Sequence, residues 1–391
     1  MRVTRETQAQ SSPVATIAIC EFRHSVVFGI KCARKMEGIV VPLPVPPTVL
    51  RGVNVLSLAP NLPGPIAARR LAEMGAKVTK IEGPTGDLMA QAAPKYYEWL
   101  CTGQDVVQLN LKEEADRGQL KELLSTCDVL ITSSRPSALA RLGLSWEELH
   151  AAYPRLCQVA IVGHSGDDAD LAGHDLTYQA HAGTLLPPAM PTVPVADLAG
   201  AELAVQAALA LLLGRNAGED SAGPGAGGQS VESQGTETQA KGAIAAGGGG
   251  YHEVALADAA EAFAMPAQFG LSAPGGLLGG ALPGYRIYEA APAGGAEAEA
   301  GLPAGGGAEG VEVEGVEAEG IEAEGAAPTY VAFAALEPHF MARAMQLLRV
   351  DGTEGQFAAA FKTKTAAEWE AWGIEQDVPI AEIRGAGRAR N

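Results

Sequence analysis

The sequence predicts an α/β fold in which a mainly parallel sheet is covered by helices. Short, buried-type apolar runs alternate along the chain with amphipathic segments of helical period, and the connections between them are short. The length of 391 residues allows two or three domains and a large core, although an excess of glycine and alanine indicates that low-complexity tracts interrupt it.

The alternation begins near Val53. The run VNVLSL predicts a buried strand, and PNLPGP is a turn in which Pro65 is placed to open a helix. The amphipathic run IAARRLAEMG predicts that helix, closed by Gly75, and KVTKI returns as a second strand. These four pieces form one strand-helix-strand unit.

Three more strands are predicted, with helical segments between them, at Asp105–Leu109, Asp128–Thr132 and Leu156–Val162. One intervening helix starts at Ser145, where Glu148 three residues later completes a capping box. This spacing predicts a Rossmann-like large domain.

A long apolar helix over Leu198–Leu213 comes before the first low-complexity tract. The second tract carries the pentapeptide G-[VI]-E-[VA]-E three times between Gly310 and Glu324, without a lysine or arginine. Both tracts have too few bulky apolar residues to offset their ordering entropy, so we expect disordered insertions. RIYEA and TYVAFAA, on either side of the second tract, are predicted to pair as strands.

The predicted organisation therefore has six parts. They are a poorly ordered N-terminal extension (1–49), a large Rossmann-like domain that binds the substrate (50–215), a disordered Gly/Ala-rich linker (216–250), a connecting helix with the start of the small domain (251–292), an acidic insertion (293–327) and a small α/β domain (328–391).

Charge and cysteine content exclude several function classes. The chain has 28 basic and 46 acidic residues, a net charge of −18, which argues against nucleic-acid binding. Its 5 cysteines form no CxxC pair and are odd in number, so neither a zinc site nor a disulfide scaffold is expected, and a reduced cytoplasm fits best. No apolar run reaches the roughly 18 residues of a membrane span, so no membrane association is expected.

A nicotinamide or flavin cofactor is not expected. Glu82 ends the second strand, where dinucleotide folds place an acidic residue for a ribose hydroxyl, but the first turn lacks G-x-G-x-x-G. Without those glycines a pyrophosphate has no close backbone approach.

Two segments carry candidate chemistry. AGHDLTYQAHAG places His174 and Asp175 at the entry to a helix, and VPVADLAGAELA places Asp197 just before the long apolar helix. A carboxylate at a helix N-terminus is stabilised by the helix dipole and free N–H groups. On pattern alone, however, an aspartate before a helix is often only a cap, and GHD is an ordinary turn sequence.

Several segments together resemble the class III CoA-transferase superfamily (CaiB/BaiF type), which includes the α-methylacyl-CoA racemases. The segments, in the order of the family, are LRGVNVLSLAPNLPGPIAARRLAEMGAKVTKIEGPTGD, LNLK, DVLITSSRPSALARLGLSWEELHAAYPRL, GHDLTYQAHAG, VADLAG, LADAA, GLLGGALPGYRIYEA and AALEPHF. The resemblance implies an interlocked homodimer with a Rossmann-like large domain and a smaller α/β domain. It implies acyl-CoA and carboxylic acid substrates, no permanently bound cofactor and no metal.

The resemblance also assigns roles. Asp197 matches the catalytic aspartate, His174 matches the second base of the racemases, and Glu337 matches a glutamate near their site. The residues expected to contact CoA are Lys80, Leu111, Lys112, Arg135, Arg141 and Tyr178. The chain departs from the family pattern at Gly83 and at TGQD (102–105), where basic residues are common.

CoA transfer is the expected function, and racemisation and binding without catalysis are the two alternatives. In CoA transfer, Asp197 attacks the thioester carbonyl as a nucleophile. In racemisation, His174 and Asp197 act as base and acid on opposite faces of an enolate. The missing basic residues and the insertions also allow a degenerate relative that binds partners without catalysis.

Overall fold

The structure is a computed structural model, and it describes residues 30–31, 46–221, 242–244, 248–292 and 329–384. The predicted acidic insertion at 293–327 lies outside these residues, as do most of the predicted N-terminal extension and most of the linker. The described residues fall into two compact units, one of Met1–His174 with Ala196–Ala259 and one of Asp175–Val195 with Ala260–Asn391. The second unit thus takes residues 175–195 from the range that the sequence assigned to the large domain.

The larger sheet belongs to the first unit and confirms the predicted α/β class. Within the described ranges it has eight strands in the order β1-β4-β3-β2-β5-β6-β8-β7. The strands are β1 (Ile30–Lys31), β2 (Asn54–Ser57), β3 (Lys77–Glu82), β4 (Gln104–Gln108), β5 (Val129–Thr132), β6 (Cys157–Val162), β7 (Gly242–Ile244) and β8 (Gly250–Ala255). The six from β4 to β8 in this order are parallel, and β1 and β7 pair antiparallel at the two edges.

Helices follow the strands as the alternation predicts. Those that the structure describes are α1 (Pro63–Glu73), α2 (Leu88–Ala92), α3 (Pro94–Leu100), α4 (Glu114–Ser125), α5 (Pro136–Arg141), α6 (Trp146–Ala152), α7 (Asp175–Ala182), α8 (Val195–Ser221), α9 (Leu256–Gln268), α10 (Pro338–Leu348), α11 (Glu354–Phe361) and α12 (Ala366–Gln376). The capping box of Ser145 and Glu148 is present at the start of α6. Gly75 follows α1 with φ +99°, and a Cβ there would lie 2.4 Å from the carbonyl oxygen of Pro47.

The linker prediction is wrong at both of its ends. The last helix before it, α8, continues to Ser221, because buried Arg215 hydrogen-bonds Asp128 Oδ1 at 3.0 Å and the Arg155 carbonyl at 3.1 Å and so anchors that end. After the linker, β7 and β8 join the large sheet, and β8 pairs with β6. Residues 251–255 therefore belong to the large sheet and not to a connecting helix.

Apolar helix α8 lies in the core of the first unit. Its side chains Ala201, Ala204, Val205 and Leu211 are buried in one cluster with β2, β5 and β6. Val195–Ala217 is long and apolar enough to cross a membrane by length and composition alone. Its most apolar 18-residue stretch has a mean hydropathy of 1.6, but 56% of that stretch is buried inside the protein. Burial in the core accounts for its apolar composition.

The second unit has its own sheet and core. In the described residues, β9 (Tyr285–Ala290), β10 (Thr329–Ala334) and β11 (Ile380–Glu382) form an antiparallel sheet in the order β11-β10-β9. The predicted pairing of RIYEA with TYVAFAA is confirmed, with Val331 opposite Tyr288. An aromatic cluster fills the core under α10–α12, and its rings are those of Tyr288, Phe333, Phe357, Phe361 and Trp369.

Candidate functional site

The candidate nucleophile Asp197 lies in the first turn of α8. It is the third residue of the helix and is half-buried, so it sits inside the helix start and not ahead of it as the sequence suggested. The first turn leaves backbone N–H groups without intrahelical partners, and with the helix dipole these stabilise negative charge. Its position in the first turn therefore places the carboxylate where the helix dipole favours negative charge.

His174 is the residue immediately before α7, and its side chain is exposed. Its neighbour Asp175 is the first residue of α7. An exposed imidazole can exchange protons with solvent or a ligand near neutral pH, which a general base requires. The predicted loop-to-helix entry is thus confirmed for the GHD segment, while the catalytic role of His174 stays a prediction.

A buried glutamine orders the segment between these residues. The Gln179 side chain is 2% exposed; its Nε2 donates to Asp175 Oδ2 at 2.6 Å and to the Val193 carbonyl at 3.1 Å. The Thr184 hydroxyl lies 3.2 Å from Gln179 Oε1. One side chain therefore ties the start of α7 to the residues just before α8. Sequence reasoning missed Gln179, whose only signal was its spacing of four residues from Asp175 on a helix.

Two other predicted site residues belong to the second unit. The Tyr178 side chain, an expected CoA contact, is 2% exposed on α7. Glu337 is the N-cap residue of α10 and is exposed; its side chain makes no capping hydrogen bond. Their roles toward a substrate remain predictions.

Four of the predicted CoA contacts follow the carboxyl ends of parallel strands, where open α/β sheets usually bind ligands. After β4, Leu111 packs half-buried against the core and Lys112 is exposed, with its backbone N–H donating to Asn110 Oδ1 at 3.2 Å. After β5, Arg135 precedes α5 and Arg141 ends it, and both side chains are exposed. Lys112 and Arg135 therefore follow the strand ends closely, and Arg141 is an exposed cation at the far end of α5.

The surroundings of Lys80 contradict the prediction that it contacts CoA. Its side chain is 1% exposed, and Nζ lies 2.7 Å from Glu82 Oε1 and 2.6 Å from Asp87 Oδ2. The Tyr97 hydroxyl donates to the same Glu82 oxygen at 2.7 Å, and the Tyr97 ring faces Nζ at 4.7 Å. An ammonium enclosed by two carboxylates and a ring has no free surface for a phosphate, so Lys80 is a structural residue.

The hydrogen bonds of this cluster also fix its protonation. Burial disfavours the charged lysine, but the hydrogen bonds from Nζ to Asp87 and Glu82 outweigh it and raise the pKa of Lys80. Burial and the bond to Glu82 raise the pKa of Tyr97 above its usual range. Asp87 in turn accepts from the backbone N–H of Met89 at 2.9 Å at the start of α2. The same interactions therefore hold Gly83–Asp87, the loop where the chain departs from the family pattern.

The first unit also contains a cavity of about 570 Å³ under α5 and α6. Its lining includes Ser134, Leu139, Trp146, Gln158, Tyr251 and Glu253. In the part of the chain that the structure describes, no group of three or more His, Cys, Asp or Glu side chains is placed to hold a metal ion.

Comparison with known proteins supports the predicted resemblance. The family model described as CoA-transferase family III matches residues 50–238. The cinnamoyl-CoA:phenyllactate CoA-transferase of Clostridium sporogenes is 37% identical over 139 residues, which cover 32% of this chain and 34% of that protein. The succinate–glutarate CoA-transferase of Agrobacterium fabrum is 33% identical over 150 residues, covering 34% of this chain and 38% of that protein.

The fold is shared over a longer stretch than the sequence. A CaiB/BaiF family protein from Brucella suis superposes with a TM-score of 0.60 and 20% identity, covering 86% of this chain and 84% of that one. The alignments to the curated relatives, in contrast, span little more than a third of their length. The superposition shows a shared fold, the family model matches somewhat under half of the chain, and neither shows the activity of the whole protein.

Proposed function

We propose, on the basis that residues 50–238 match the model of CoA-transferase family III, that this chain transfers CoA between carboxylic acids with Asp197 as the nucleophile. The observation that carries the proposal is the position of Asp197, half-buried in the first turn of α8. The names of the curated relatives support transfer, since each describes exchange of CoA between two acids.

The chemistry follows from a carboxylate nucleophile. Asp197 attacks the thioester carbonyl and expels CoA thiolate. This step joins the acyl group to the aspartyl side chain as a mixed anhydride. The thiolate then attacks the aspartyl carbonyl, so the first carboxylate leaves and an aspartyl-CoA thioester forms. An acceptor carboxylate attacks that thioester, giving a second anhydride and thiolate. Attack of the thiolate on the acceptor acyl carbonyl releases the new thioester and restores Asp197.

Each addition generates an oxyanion that needs hydrogen-bond donors. The backbone N–H groups at the start of α8 are candidates, because the N-terminus of a helix favours negative charge. The CoA phosphates require cations. Lys80 is excluded because it is buried in an ion pair, so the candidates are Lys112, Arg135 and Arg141. Leu111 and Tyr178 supply apolar contact in this proposal, no cofactor is held permanently, and acyl-CoA is a substrate. A homodimer in the cytoplasm, free of nucleic acid and membrane, remains our expectation from the resemblance.

Racemisation of a 2-methylacyl-CoA is the second candidate. It is favoured by the exposed His174 before α7, because transfer through Asp197 alone does not require a histidine base. In this candidate one of His174 and Asp197 removes the α-proton and the other returns a proton to the opposite face. The third candidate is a relative that binds partners without catalysis.

A purified sample given an acyl-CoA and an acceptor acid tests the proposal. Transfer predicts acceptor-dependent thioester exchange and an enzyme thioester that hydroxylamine converts to a hydroxamate on the peptide containing Asp197. Asp197→Asn removes both, whereas Asp105→Asn, at an exposed carboxylate on β4, leaves them unchanged.

The alternatives give different results in the same samples. Uptake of α-deuterium from deuterium oxide without an acceptor, lost in His174→Ala, establishes racemisation and contradicts transfer. If neither CoA nor acyl-CoA raises the thermal midpoint, the enzyme proposal fails, because a ligand that binds only the folded state must stabilise it.

A further inference from the structure

The cavity in the first unit lies on one face of β6 and β8. Gln158 pairs with Tyr251 and Ala160 pairs with Glu253 in the parallel register, so these four side chains form its floor. Helices α5 and α6 cover it, with Leu139 and Trp146 among the roof residues. All lining residues belong to the first unit, and the volume of about 570 Å³ is that of a small-molecule site.

The floor carries a buried carboxylate without a cationic partner among its hydrogen bonds. Glu253 is 9% exposed, and it accepts from the Tyr251 hydroxyl at 2.7 Å and from the Gly166 N–H at 3.3 Å, both neutral donors. Its neighbour His252 supplies no positive charge at neutral pH, because burial lowers its pKa. A buried carboxylate is costly unless a positive charge compensates it.

Two other lining side chains also present hydrogen-bond acceptors. Gln158 is 1% exposed, and its Oε1 is a buried acceptor without a hydrogen-bond partner in the described residues. Glu147 adds a second carboxylate, and none of the lining residues is lysine, arginine or histidine. The cavity therefore presents acceptors and negative charge, with no cation to balance them.

Aromatic and aliphatic side chains complete the walls. The rings of Trp146 and Tyr251 lie with their centroids 5.5 Å apart, and Leu139 and Leu144 provide apolar surface. Aromatic faces attract cations, and buried apolar walls favour the body of an organic ligand over a hydrated metal ion.

We propose that this cavity binds a small organic cation, an ammonium group carried on an apolar or aromatic body. The ammonium donates to Glu253 and Gln158, and the body packs between Trp146 and the leucines. The same carboxylates repel the phosphates of CoA, and Lys112, Arg135 and Arg141 are not among the lining residues, so the proposed site is other than the CoA contacts. The inference does not depend on the proposed transferase activity.

Isothermal titration calorimetry with the full chain tests it, using phenethylammonium as the probe and phenethyl alcohol and phenylacetate as matched neutral and anionic controls. We expect saturable binding of the ammonium and at least about tenfold weaker binding of both controls, since a charged donor is lost. Equal affinity for the alcohol, or no binding of the ammonium, overturns the proposal. This comparison uses the unmodified protein and does not depend on how any variant folds.

Variants locate the site. Glu253→Gln should weaken binding of the ammonium by at least about tenfold, because it removes the negative charge. Gln158→Leu should also weaken it, because it removes a buried acceptor. Glu122→Gln, at an exposed carboxylate on α4, should not. Asp197→Asn should bind the ammonium unchanged, which separates this result from that of the transferase test. Ammonium binding that survives Glu253→Gln in a folded variant contradicts the assignment to this cavity.

Discussion

Lys80 Nζ lies 2.6 Å from Asp87 Oδ2, although the lysine is in strand β3 and the aspartate caps helix α2 beyond it. Both side chains are almost fully buried, and Glu82 completes the group. The chain between them is the loop that follows β3, at the carboxyl edge of the sheet. An ion pair inside the first unit therefore fixes a loop at the edge where α/β proteins usually hold ligands.

The first prediction concerns this ion pair. Lys80→Met should lower the free energy of unfolding by about 3–5 kcal/mol, because it leaves the buried carboxylates of Glu82 and Asp87 without their cation. Urea unfolding followed by circular dichroism measures this loss. Lys121→Met, at an exposed lysine on α4, should change the value by no more than about 0.5 kcal/mol. Equal losses in the two variants contradict the structural role of Lys80.

The second prediction concerns the Gln179 contacts. Gln179→Leu should cost about 1–3 kcal/mol, because the Val193 carbonyl and Asp175 Oδ2 lose their shared donor. Thermal unfolding measures this cost, and Gln268→Leu, at an exposed glutamine of the same unit, is the matched control. If the transfer proposal holds, thioester exchange should also fall in Gln179→Leu at temperatures where the variant is folded. A variant with unchanged stability and unchanged exchange contradicts both expectations.

The strands and helices with a strong apolar period were predictable from sequence. β2 to β6 were found because buried parallel strands are continuous apolar runs. α1 was found from the proline and glycine at its ends, although it begins at Pro63 and not at the expected Pro65. β8 was assigned to another domain, because a low-complexity tract separates its sequence from β6, the strand that it pairs with. Pairing across such a gap depends on tertiary contacts that no local pattern contains.

The sequence predicted which residues of the candidate site lie at helix starts, but it did not predict the ion-pair and hydrogen-bond partners around them. His174 was placed correctly at a helix start, and Asp197 was placed close to one although it lies within the first turn, since helix entry is a local property. Lys80 was misassigned because strand alternation does not show that Asp87, seven residues later, folds back onto it. Gln179 was missed because a polar residue on a short helix usually faces solvent, and its carbonyl partner Val193 lies in a loop without a sequence pattern.

The third prediction concerns the start of α12. The Thr365 hydroxyl accepts from the Glu368 N–H, and the Glu368 side chain accepts from the Thr365 N–H at 2.8 Å, so Thr365→Ala should cost about 0.5–2 kcal/mol. Thr353 is also an N-cap residue, of α11, but its hydroxyl donates to Asp351 and makes no capping bond. Thr353→Ala should therefore cost less in the same urea titration. The reverse order would show that the capping box does not stabilise this unit.

The fourth prediction concerns the thiol of Cys127. Burial raises its pKa to about 12, and Sγ lies 3.1 Å from the Val129 carbonyl, which the protonated thiol can donate to. In the native protein at about pH 8.5 the thiol should stay protonated and resist iodoacetamide, because the thiolate is the nucleophile. Mass spectrometry of the Cys127 peptide should show labelling only after unfolding in urea.

The same raised pKa sets the sign of a stability change at high pH. Between the ordinary pKa of 9.0 and about 12, the thiol ionises in the unfolded state while it keeps its proton in the folded state. Ionisation therefore stabilises the unfolded state relative to the folded one over this pH range. The contribution of Cys127 to stability is therefore complete below about pH 9 and falls as the pH rises through this window. Cys127→Ala should have a shallower loss of stability over this range in urea titrations. Identical pH slopes, or native labelling of Cys127 as fast as in urea, would show that the thiol is not held in its protonated form.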